Sequence, residues 1–372
     1  MKYKLSEIGK VVGGGTPSTK QPEYYTDSEI PWITPKDLSG YDKMFISKGN
    51  RDITKSGLEN SSAKLLPAKS ILVSSRAPIG YVAIAKNKIA TNQGFKSIIP
   101  NESLVIPEYL YFVMKTSKQN LEQIASGSTF KEISTKVMSN FEVDIPSMNE
   151  QKRILRYLLP ITRKIEKNIK INDNLDLLLT TIFENKINNK NFTKAHLTDI
   201  ATYRNGLAMQ KFRPDDNEQS LPVLKIKELN QGYIDDSSDR CSAEIDESVV
   251  VNTGDIIFSW SGTLLVKNWA GETAGLNQHL FKVTSNNYPE WFIYEWTKHH
   301  LQKFQSIAAG KATTMGHIKR SDLKSSEVLV PNNDELDKLN TIMKPIYDKR
   351  IEVINENQRL IGIKRILLQR YF

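Results

Sequence analysis

The chain has 372 residues, 39% of them hydrophobic and 25% charged, with a formal net charge of +9 at pH 7. These proportions exclude a disordered or fibrous chain, and the length accommodates two or three domains with cores of their own. A single cysteine, Cys241, excludes an internal disulfide, and five scattered histidines argue against a metal cluster.

No run of about 18 apolar residues occurs, and the N-terminus MKYKLSEIGK lacks a signal-peptide core, so a cytoplasmic location is expected. The positive charge points to a polyanionic partner but is unevenly spread: +5 over 1–149, +4 over 150–190, −3 over 191–334 and +3 over 335–372. The acidic block owes its sign largely to Asp235, Asp236, Asp239, Glu244, Asp246 and Glu247. A DNA contact there needs local basic clusters.

In chain order, the first marked feature is the glycine run Gly13, Gly14 and Gly15. Glycine lets backbone approach a ligand or another chain segment closely. The run lacks both the Lys-Ser/Thr of a P-loop and the spacing of a dinucleotide fingerprint, so a phosphate cradle and a plain surface turn both stand. Residues 70–74, 81–85 and 96–99 are short β-branched runs bounded by Pro, Gly and Asn, and read as strands. Pro107 opens a helical stretch to 117 or 125. Strands recur at 256–259, 264–266 and 280–283, and Pro289 opens a second helical stretch.

Two long glycine-poor segments, 149–189 and 334–372, carry apolar residues at steps of three and four. The first presents Ile154, Leu158, Ile161, Ile165, Leu175, Leu179 and Ile182. The second presents Leu339, Met343, Ile346, Val353, Leu360 and Leu367. That is the period of a helix with one apolar face, which needs a partner, and each is the natural partner of the other. Asn168, Asn172 and Asn357 interrupt the stripe, either buried in the seam and fixing its register or just outside it. Pro160 and Pro345 predict a break in each segment, with a long helix starting at the proline. From 160 to 189 such a helix is roughly 45 Å long.

The two segments align at a constant offset: Glu150 with Glu335, Pro160 with Pro345, Asn172 with Asn357 and Leu175 with Leu360, each 185 positions apart. The duplication extends upstream. LSEI (5–8) is echoed by LTDI (197–200), PWITPKDL (31–38) by PVLKIKEL (222–229), and LPAKSILVSS (66–75) by VNTGDIIFSW (251–260). NQGF (92–95) is echoed by NQHL (277–280), PEYLYF (107–112) by PEWFIY (289–294), and FEVDIP (141–146) by SEVLVP (326–331). The same order in both halves predicts an α+β fold of two tandem domains, 1–148 and 193–333. Each is followed by a long helix, 149–192 and 334–372, and the two helices pack as an antiparallel coiled coil with an internal pseudo-two-fold repeat.

No nucleophile elbow, HExxH, GxxxxGK[ST], methyltransferase glycine-rich turn or Asn/Asp-Pro-Pro-aromatic motif is present, and no nuclease carboxylate–lysine cluster stands out. The sequence points to no catalytic residue and no metal ligand. Three readings compete: a DNA-sequence reader, a coiled-coil scaffold or DNA-binding protein outside restriction–modification, and a nuclease or methyltransferase with an unrecognised site.

The closing pattern GSTFKEIS…FEVDIPSMNEQKRI (127–154) resembles the specificity subunit of type I restriction–modification enzymes, as do PWITPKDL and NQGF. The resemblance spans essentially the whole chain, although Glu335–Leu336 replaces Glu150–Gln151 in the second copy. It implies that each globular half is a target recognition domain for one part of a bipartite site in double-stranded DNA, with the helices as spacer. It also implies a non-catalytic subunit that recruits two methylation subunits and, through them, restriction subunits. S-adenosylmethionine, ATP and Mg then belong to those partners, with no cofactor in this chain and no membrane.

Base reading favours Arg on guanine and Asn or Gln on adenine. First-half candidates are Thr16, Arg76, Asn92 and Gln93, with Lys20 and Lys36 toward phosphate. Second-half candidates are Arg204, Gln210, Lys211, Arg213, Lys225, Lys227, Asn277 and Gln278, with Lys311, Thr313, His317, Lys319 and Arg320 for backbone contacts. An Asn-Gln pair in both halves also fits a shared fold requirement at Asn92 and Asn277.

Overall fold

The computed structural model describes residues 1–127, 131–187, 192–215, 218–235, 237–310 and 316–372. It divides into two compact units, Met1–Glu166 with Ile363–Phe372, and Lys167–Gly362.

In the first unit a five-stranded sheet runs in the order Gly9–Gly13, Lys96–Pro100, Ile71–Val73, Val82–Ala85, Phe45–Ile46. A four-stranded sheet follows the order Tyr25–Thr26, Arg51–Ile53, Ile30–Ile33, Ala90–Thr91, and Lys2–Lys4 pairs with Glu142–Asp144. The second unit repeats this plan. Its first sheet is Thr202–Asn205, Leu280–Thr284, Ile256–Ser259, Leu265–Asn268, and its second is Arg240–Ser242, Ser220–Leu224, Ala274–Leu276, Val250–Val251. Thr193–His196 pairs with Glu327–Val330. Even the one parallel pairing of the second sheet recurs: Ile33 lies opposite Thr91 in one lobe and Leu224 opposite Leu276 in the other. The structure is α+β.

Pro107 sits at the first turn of the helix Pro107–Thr116, where its missing N–H costs nothing, and Lys118–Ile124 follows. Pro289 is one position outside its expected place, as the N-cap of Glu290–His299. Both helices bury nearly every side chain against the first sheet of their lobe, which explains their apolar composition.

The central helix is continuous from Met148 to Ile187 and the terminal helix from Asn333 to Tyr371, so neither breaks at its proline. Pro160 and Pro345 both lie on exposed faces. There the carbonyl four residues upstream, which loses its N–H partner, belongs to an exposed residue, Arg156 or Thr341, on a face that water can reach. Each helix is shared between the units: Met148–Glu166 and Ile363–Phe372 pack with the first, the remainder with the second.

Within the second unit the two helices run antiparallel. Asn168 Nδ2 donates to Glu356 Oε2 at 2.7 Å, Asp176 meets Arg350 at 3.2 Å, and Phe183 and Met343 line one small apolar hollow. Asn168 is therefore inside the seam, whereas Asn172 and Asn357 are half-buried.

The expected stripe is only partly spent on helix pairing. Leu179, with Ile182, Leu339 and Ile346 beside it, joins the core of the second lobe. Ile154 and Leu158 join the core of the first, against which Leu367 and Leu368 also pack. Val353 is buried, while Ile165, Leu175 and Leu360 stay half-buried. A face this wide meets a lobe as well as a partner helix.

Candidate DNA-reading face

A tight turn at 92–95 organises one edge of the first lobe. The Asn92 side chain accepts from Gly94 N at 2.9 Å, and Phe95 N donates back to Asn92 O at 3.3 Å. Gly14 N donates to Phe95 O and Gly15 N to Thr91 O. A Cβ on Gly14 would overlap the Asn92 carbonyl oxygen. The glycine run therefore makes its close approach to the chain's own backbone, which removes the phosphate-cradle reading.

The second lobe builds the same turn from different residues. Gly206 N donates to Leu280 O, Leu207 N to Leu276 O, and Leu280 N to Asn277 O. A Cβ on Gly206 would overlap the Asn277 and Leu276 carbonyls. Asn277 accepts from His279 N at 3.3 Å and is 7% exposed. Asn92 and Asn277 are thus turn-formers in both lobes.

Several first-half candidates gather around this turn. Thr16 Oγ1 donates to Gln93 Oε1. Gly94 lies tight against Pro35, which opens the short turn Pro35–Leu38 carrying exposed Lys36. Ser75 N donates to Gly94 O at 2.7 Å, which places exposed Arg76 beside the turn. Lys20 is exposed on the loop that follows the glycines.

Arg76 Nε meets Glu132 Oε2 at 3.0 Å, and Lys96 Nζ meets Glu132 Oε1 at 3.2 Å. Burial alone would raise the Glu132 carboxyl, but hydrogen bonds from Arg76 and Lys96 outweigh it and hold its pKa below the ordinary value. Neither Lys96 nor Glu132 was among the expected residues.

Around the second turn the chemistry is different. Trp260 Nε1 donates to Asn205 Oδ1 at 3.0 Å, and the ring stacks on Phe281 at 5.7 Å. His279 and His317 lie 5.9 and 6.3 Å from it. Gln278 is half-buried beside His279.

Three of the cations expected in the second half are, like Arg76, already paired within the chain. Lys225 bonds Asp239, Lys227 meets Asp235 at 3.0 Å, and Arg204 meets Asp246 at 3.7 Å. Gln210, Lys211 and Arg213 are exposed near the short turn Met209–Lys211. Lys319 and Arg320 are exposed at the start of Arg320–Lys324. Lys311 and Thr313 lie outside the described residues.

The missed residues have a signature in the sequence. At an offset of 185, Arg76, Lys96 and Glu132 face Ser261, Phe281 and His317, positions with a common backbone role and unrelated side chains. Among the described residues no group of His, Cys, Asp and Glu is arranged to hold a metal ion, and no helix is long and apolar enough to cross a membrane.

This duplicated architecture agrees with the comparison to known families. Residues 1–175 and 189–365 each match the type I restriction modification DNA specificity domain. The chain belongs to that family.

It is 32% identical to the type I restriction enzyme MjaIX specificity subunit of Methanocaldococcus jannaschii, over 98% of this chain and 89% of that protein. It is 33% identical to the EcoR124I/EcoR124II specificity subunit of Escherichia coli over 41% of this chain and 39% of that one. The S subunit from M. genitalium shares the fold, with a TM-score of 0.57 and 15% identity, covering 100% of this chain and 96% of the other. The protein is thus a DNA sequence-specificity subunit of a type I restriction–modification system, and the scaffold and hidden-enzyme readings are not favoured. In such a system catalysis belongs to the methylation and restriction subunits.

Proposed function

We propose that this specificity subunit reads a bipartite DNA site, one half-site per lobe, with target recognition domains at 1–148 and 193–333 and the helices 149–192 and 334–372 as spacer. The observation that carries this reading is the turn at 92–95 and its copy at 277–280, held by matching backbone bonds yet surrounded by different side chains. Two copies of one scaffold with different chemistry are what an asymmetric two-part site requires. Half-sites one helical turn apart are separated by about 34 Å, the order of length of the helical spacer.

Two methylation subunits fit the repeat as well. Tyr157 and Ile342 are equivalent positions, 49% and 47% exposed, and Leu178 and Ile363 are another such pair, 45% and 48% exposed. Apolar residues presented twice at the same offset offer two like docking faces for two copies of one partner. Restriction subunits join through those partners.

The test is to sequence methylated sites in cells expressing this chain with its methylation partner. A two-part asymmetric motif is expected, and a heptad inserted into both long helices should widen the gap while leaving both half-sites intact. A single continuous motif, or a gap indifferent to the insertion, would overturn the proposal.

A further inference from the structure

Resting on that DNA-reading role, we infer that Arg76 reads a guanine in the half-site of the first lobe and that Glu132 and Lys96 are its positioning residues. The guanidinium is exposed at the rim of the turn and is gripped through Nε by Glu132. An end-on bidentate contact to guanine O6 and N7 uses the terminal nitrogens and tolerates a carboxylate on Nε. A lone exposed ion pair orders a side chain poorly. Here the carboxylate is itself held by Lys96, whose side chain is only 10% exposed on the strand Lys96–Pro100. The arginine is thereby oriented before DNA arrives, which lowers the entropy lost on binding. Two cations and one anion leave the group net positive toward a polyanion.

A purely structural role for the trio is contradicted by the second lobe. There Ser261, Phe281 and His317 occupy the same places. Ser75 N→Gly94 O is matched by Trp260 N→His279 O, and Ile133 N→Ser75 O by Ile318 N→Trp260 O. The strand-like bridge from residue 76 to 132 is matched by that from 261 to 317. The scaffold forms without the arginine, the glutamate or the lysine, so these residues serve something other than the scaffold.

The experiment uses the chain assembled with its methylation partner, reading the methylated motif by sequencing and affinity on duplexes varied one base at a time. Arg76→Ala should relax one guanine position of one half-site by about 5- to 150-fold and leave the other half-site unchanged. Arg76→Lys keeps the charge and the fold but loses the bidentate fork, so it should relax the same position while retaining non-specific affinity. Glu132→Gln should partly relax that same position and no other. Uniform weakening on all sequences with a shallower salt dependence would make Arg76 a phosphate contact and overturn the inference. An unaltered motif in Arg76→Lys would overturn it too, and an unaltered motif in Glu132→Gln would remove the positioning role. A wild-type complex with no preferred sequence would instead bring down the DNA-reading role itself.

Discussion

Asp176 on the central helix and Arg350 on the terminal helix meet at 3.2 Å, and Arg350 also donates to the Tyr294 hydroxyl at 2.8 Å and to Asn268. Lys298 closes on the other oxygen of Asp176 at 2.5 Å. Four elements of the second unit are thereby tied together around one half-buried carboxylate.

Removing Arg350 takes a bonded cation from Asp176, which is half-buried and keeps Lys298 as its remaining partner. Arg350 is 7% exposed. Arg350→Ala is expected to destabilise by about 1.5–3 kcal/mol. Asp176→Asn in the same chain should recover part of that loss. Urea unfolding of the two single variants and the double variant measures this, and strictly additive losses would show that the pair is not coupled.

Glu295, on Glu290–His299, is 1% exposed, and burial pushes its carboxyl up to about 7. Only Oε2 is bonded, to the Thr180 hydroxyl at 3.0 Å. A folded pKa above the unfolded value means that folding favours the protonated form. The contribution is full below the ordinary value near 4.3 and is lost as pH rises through about 7. Glu295→Gln should flatten that slope and raise stability at pH 8 relative to pH 5. Parallel denaturation curves for wild type and variant across that range would refute it.

Glycine substitutions should separate by position. At Gly14 and Gly206 a methyl group meets fixed carbonyl oxygens, so Gly14→Ala and Gly206→Ala should each destabilise their own lobe by at least about 1–3 kcal/mol. At Gly362, inside the terminal helix, nothing lies within 4 Å of an added Cβ. Gly362→Ala should stabilise by about 0.8–1 kcal/mol through helix propensity. Melting temperatures of the three variants decide the order.

The helix prolines make a similar forecast. Pro160→Ala and Pro345→Ala each restore an N–H to an otherwise uninterrupted helix, so each should stabilise by up to about 3 kcal/mol. Hydrogen exchange at 156–164 and 341–349 should slow in the corresponding variant. A destabilised variant would mean that the ring makes a contact the helix depends on.

The linear order of residues already determined the duplication, the α+β class and the two long helices, because periodicity and a constant offset are properties of the chain alone. Tertiary structure decided three further matters. Whether the helices break at their prolines depended on which face meets solvent. Whether the asparagines of the Asn-Gln pairs shape a turn depended on a glycine just past the end of a distant strand closing on their backbone. Which cations carry an internal partner depended on carboxylates such as Asp235 and Asp239 folding back onto Lys227 and Lys225. Glu132 reaches Arg76 from 56 positions away only because both flank one turn, and no local pattern encodes a contact between segments so far apart.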